Sequence, residues 1–66
     1  MAWNYAQEVD NARTAVLTAA SITLRVINKA PDWMARAKAQ DAYDALMDAA
    51  SKFGELAREA REQENA

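Results

Sequence analysis

Ala35, Ala39, Ala42, Leu46, Ala49, Phe53, Leu56 and Ala60 form an unbroken apolar series in alternating steps of four and three. That spacing keeps one seam of an α-helix against a neighbouring helix. The seam must lie against something, and the rest of the chain offers one other long helical segment. Half of the 34 apolar residues are alanine, 17 in all, and there is one Gly and one Pro. Alanine is the best helix former but buries little area. The composition therefore predicts an all-α protein with a small core, a single domain over residues 1–66.

Asn4 followed by Gln7 has the spacing of a capping box. It opens a first helix predicted over about residues 5–29. At about 100° per residue, Tyr5, Val9, Ala12, Val16, Ala20, Thr23 and Ile27 fall on one stripe. Ala19 and Val26 flank it on one side, Leu17 and Leu24 on the other, and Ile22 lies further round. An apolar arc of roughly 200° is wider than one neighbour requires. Pro31 interrupts the pattern, which places a turn at Asn28-Lys29-Ala30 and a second helix at about residues 31–63. A short connection between long helices favours an antiparallel hairpin. The second helix exceeds the first by about two turns, and Gly54 in its interior marks either a close backbone neighbour or a weak point.

Cysteine and histidine are absent. That removes disulfides, thiolate and imidazole nucleophiles, and metal ligation through Cys or His. A single glycine leaves no Gly-rich phosphate loop. No metal, cofactor or catalytic residue is expected, and the chain reads as non-enzymatic. The net charge is −2, which argues against nucleic-acid or anionic-membrane partners. The acidity sits in the second half: residues 1–30 carry three basic against two acidic groups, residues 31–66 five against eight. No leader and no membrane span are evident, and the cytoplasm is the expected location.

Three groups of residues bear on function. Asp41, Asp44, Asp48, Glu55, Glu59 and Glu62 fall within about 60° on the outer face of the second helix. They form either an ordinary solvated face or an acidic ridge able to occupy a basic site. Trp33 and Met34 stand beside the turn, and Trp3 starts the first helix. Trp33 either seals the hairpin end or serves as an interface anchor. Arg25, Lys29, Arg36 and Lys38 gather near the turn, too few for a nucleic-acid footprint. A hairpin with a Trp at its turn resembles in outline the small secreted WXG-type proteins of type VII secretion. Their motifs are not here: Trp33-Met34-Ala35 stands where they have Trp-x-Gly, and Tyr43 is followed four residues later by Met47, not by an acid. The chain is not assigned to that family.

Two helices with such wide apolar arcs cannot hide both against one another. The sequence therefore predicts a protein–protein interaction module or small accessory subunit that completes a helical bundle, with itself as a homodimer or with another protein. Leu17, Ile22, Leu24, Trp33, Met34, Tyr43 and Met47 are the expected partner interface. The alternative is a small acidic inhibitor, of the kind a phage uses, that blocks nucleic-acid machinery through the ridge.

Overall fold

The computed structural model describes residues 4–65; Trp3, weighed above, lies outside them. Helix α1 (Tyr5–Lys29) and helix α2 (Trp33–Asn65) pack side by side as an antiparallel hairpin. The start of α1 lies against the end of α2, where Asp10 and Arg61 pair.

The start of α1 is capped as the sequence implies, but only on one side. Asn4 Oδ1 accepts from the Gln7 backbone N–H at 3.1 Å. The Gln7 side chain does not return to Asn4. It donates forward to Asn11 Oδ1 at 3.1 Å, so a side-chain ladder along the helix replaces the second half of the box. The turn falls one to two residues later than the sequence suggested. Helix α1 persists to Lys29, and Ala30 adopts φ −59°, ψ 134°, the extended geometry that a following proline imposes. Pro31 precedes α2 and does not belong to its first turn, because Asp32 takes the N-cap. Its Oδ1 accepts from the Ala35 N–H at 2.8 Å, and its carbonyl takes the first helical bond, from the Arg36 N–H. An aspartate cap satisfies an otherwise orphaned donor and opposes the positive helix end.

The seam of α1 follows the expected stripe. Val9 and Ala20 are buried, Ala12, Val16, Thr23 and Ile27 half-buried. Tyr5, at the helix start, is half exposed. Thr23 can sit in this seam because its hydroxyl donates to the Ala19 carbonyl at 2.8 Å. The seam of α2 is turned from the heptad by about 40°. Ala39, Ala50, Ala57 and Ala60 are buried, and Ala35, Tyr43, Leu46, Ala49 and Phe53 half-buried. Ala42 and Leu56, both in the heptad, face solvent, Leu56 at 36% exposure. The cause is shape. Helix α1 brings Val9, Val16 and Ile27 to the seam, where α2 buries alanines and half-buries the larger Tyr43, Leu46 and Phe53. The bulkier Leu56 and Met47 of α2 are left on its flanks.

Gly54 admits no close backbone. A Cβ built there would lie 3.7 Å from Arg13 Nε and 3.9 Å from Arg13 Cζ, an ordinary van der Waals distance. The glycine costs helix stability and relieves no clash. Gly54→Ala is expected to stabilise the hairpin by about 1 kcal/mol, read as a raised midpoint in urea. Asp32→Ala should destabilise it by about 1 kcal/mol, measured in the same way, with Asp32→Asn largely neutral.

Candidate interaction surfaces

Two antiparallel helices side by side make one layer, and the dimensions say so: 51 × 22 × 11 Å. The smallest extent is the diameter of a single helix. The radius of gyration, 15.4 Å, exceeds the roughly 11 Å of a compact chain of this length. Among the described residues six side chains are buried, five alanines and Val9, and no polar or charged side chain is. A layer of this kind exposes two broad faces.

The expected interface residues divide between those faces. Leu17 and Met47 meet in a groove of about 380 Å³ with Arg13, Ala50, Ser51, Gly54, Glu55 and Arg58. Leu24 and Tyr43 continue this face toward the turn by helical position, Tyr43 half-buried and Leu24 exposed. Arg36 and the Asp10–Arg61 pair fall on the same side, and we term it the arginine face. Ile22 lies on the other side. With Val26, Arg25, Lys29, Ala30, Pro31 and Ala35 it lines a depression of about 360 Å³ at the turn. Helical position adds Ala15 and Ala19 from α1, and Ala42, Ala45, Ala49 and Leu56 from α2. This is the alanine face.

Trp33 and Met34 belong to neither centre. Trp33 is 77% exposed and does not fold over the turn. It is the first residue of α2, immediately after the Asp32 cap, and at about 135° from the α2 seam it points outward. Met34 is also exposed.

The arginine face carries both signs. Arg13, Arg36, Arg58 and Arg61 share it with Asp10 and with Glu55, which lines the groove beside Arg13 and Arg58, and Asp10 is taken by Arg61 at 2.6 Å. Among the described residues neither Arg13 nor Arg58 has an ion-pair or hydrogen-bond partner. Heptad reading missed both, because a cation beside a seam reads as solvated surface. Gly54 between them was the available signal.

All six carboxylates of the acidic ridge are exposed on the outer side of α2. Asp48 pairs with Lys52 at 3.2 Å, and Asp44 accepts from Gln40 Nε2 at 3.2 Å. Among the described residues no group of three or more His, Cys, Asp or Glu is placed to hold a metal ion. Neither depression takes in Tyr43, Asp44 or Lys38, the side chains from which acid–base chemistry would have to be built. No described helix is long and apolar enough to cross a membrane.

Comparison with protein-family models, curated proteins and solved structures finds no match to this chain.

Because the ridge touches no seam, reversing Asp41, Asp44 and Asp48 to Lys should leave helix content unchanged and stability within about 1 kcal/mol. Circular dichroism and urea unfolding of the triple variant check this.

Proposed function

We propose that the chain is a non-enzymatic protein–protein interaction module that completes its core by pairing with a second copy, two hairpins forming a four-helix bundle. The observation that carries this is area. The hairpin exposes 5126 Å², roughly 900 Å² above the roughly 4,200 Å² expected of a folded monomer of 7.3 kDa. A standard interface removes about 800 Å² from each partner. One face-to-face contact accounts for the excess and gives the layer the second layer that a stable domain requires.

The exposed side chains support the same reading. Leu17, Leu24 and Met47 on one face, and Ile22, Val26 and Leu56 on the other, are each at least 36% exposed. Burying a side chain of this size stabilises by about 1.5–3 kcal/mol, more than the alanine seam gains per residue. Trp33 and Met34 lie at the edge of such a bundle, where they extend the contact. The expected partner is thus the chain itself, acting in the cytoplasm. A foreign helical protein is the other class of occupant. No observation favours the acidic inhibitor over a solvated face, since Lys52 and Gln40 already engage the ridge.

Light scattering across a concentration range tests the proposal. The expected mass is twice 7.3 kDa, with an unfolding temperature that rises with protein concentration. A helical monomer at all concentrations overturns the self-pairing and leaves the same faces for a foreign protein.

A further inference from the structure

The net charge of −2 is not spread evenly. Residues 22–40, the turn and the helix ends that meet there, carry Arg25, Lys29, Arg36 and Lys38 against Asp32 alone. The remaining residues carry four basic groups against nine acidic. One end of a rod 51 Å long is thus positive and the rest is negative. Among the described residues none of the four cations has an ion-pair or side-chain hydrogen-bond partner. Asp32 is engaged, since it caps α2 through the Ala35 N–H at 2.8 Å and faces the positive helix end. The nearest acid of the ridge, Asp41, stands about 12 Å along α2 from Trp33. That exceeds the roughly 8 Å over which physiological salt screens charge.

The same end collects apolar groups. Of the nine large apolar side chains exposed among the described residues, five fall between Ile22 and Met34, and Trp33 is the most exposed. The depression of about 360 Å³ at the turn is apolar apart from Arg25 and Lys29, and no acid lines it. By helical position these groups ring the end and favour neither broad face. Leu24 and Arg36 lie on one side, Ile22, Val26 and Lys38 on the other, Arg25 and Trp33 at the two edges. Helical side chains lean toward the helix N-terminus. Trp33, Met34, Arg36 and Lys38 stand at the start of α2, so they lean toward the turn.

We propose that the turn end binds the surface of an anionic lipid membrane end-on, with Trp33 and Met34 in the headgroup layer and the four cations among the lipid phosphates. A planar partner can meet a ring of contacts, whereas a peptide helix or strand needs its contacts along one side. Tryptophan with lysine and arginine is the composition of a membrane–water interface, and basic groups are drawn to anionic leaflets. The last carbonyls of α1 have no intrahelical donors, which keeps the turn in the hydrated layer and out of the hydrocarbon. No described helix is long and apolar enough to cross a membrane, so the contact is peripheral. The membrane contact goes beyond self-pairing and does not rest on it. Arg25, Trp33 and Met34 point away from the hairpin seam by helical position, and a face-to-face copy leaves them open.

Flotation with unilamellar vesicles tests this. The full chain is expected to float with vesicles of phosphatidylglycerol and phosphatidylcholine in equal parts, to stay behind with phosphatidylcholine alone, and to be released by salt. Each cation near such a surface is worth about fivefold in affinity. Arg36→Glu combined with Lys38→Glu should therefore weaken binding by more than about 25-fold. Both positions are exposed near the start of α2, where glutamate favours the helix, so circular dichroism should stay helical. Arg13→Glu combined with Arg58→Glu makes the same change in net charge away from the turn and should keep most of the binding. In a Trp3→Phe chain, Trp33 emission should shift to the blue on adding the anionic vesicles. No flotation, equal loss in the two double variants, or an unshifted Trp33 overturns the inference. Retention on immobilised poly-glutamate without flotation also overturns it and assigns the end to an acidic protein. Mass in solution decides self-pairing separately, so the two failures are distinguishable.

Discussion

The contact between the branched side chains of α1 and the alanines of α2 governs the rest of this structure. Val9, Val16 and Ile27 reach across a seam in which Ala39, Ala50, Ala57 and Ala60 are the buried residues. Small side chains let the helices approach closely, and they remove little apolar area from water. The hairpin is therefore well fitted and thinly cored. Several larger residues, Leu17, Leu24, Met47 and Leu56 among them, stand exposed on the flanks. The slab shape and the large exposed area both follow from this one packing choice.

The same displacement separates two surfaces that a helical wheel merges. A wide apolar arc on a drawing becomes, once one edge is taken by the hairpin partner, two strips pointing to opposite sides of the layer. One strip is bordered by Arg13, Arg58 and Glu55, the other by Arg25 and Lys29. Apolar content alone would not rank them, since each offers three large exposed side chains. The acidic ridge lies on a third side, at the outer edge of α2, and is internally engaged by Lys52 and Gln40.

Local chemistry was partly legible and partly misread, for identifiable reasons. Asn4 was recognisable as a cap because its side chain acts on a backbone donor three residues away. The return contact from Gln7 was not, because Asn11 competes for the same amide. Pro31 signalled the break, but the helix start was settled by Asp32, a better cap than proline is a first residue. Trp33 was open between a seal and an exposed anchor, and its direction depended on that two-residue shift. Arg13 and Arg58 were invisible as a pair, since they are 45 positions apart and meet only through the hairpin.

By itself the sequence determined the helical class, the two helices, the break between them and the stripe of α1, all consequences of spacing within a segment. It also determined that the apolar arcs exceed what one partner covers. Tertiary structure decided the rotation of α2, which turned on the fit of valine and isoleucine against alanine and moved Leu56 and Ala42 outward. It decided as well how Leu17, Leu24, Tyr43 and Met47 part from Ile22 and Val26. The physical reason is common to both: periodicity sets a direction around one helix axis, and only the second helix says which part of that circle is still open.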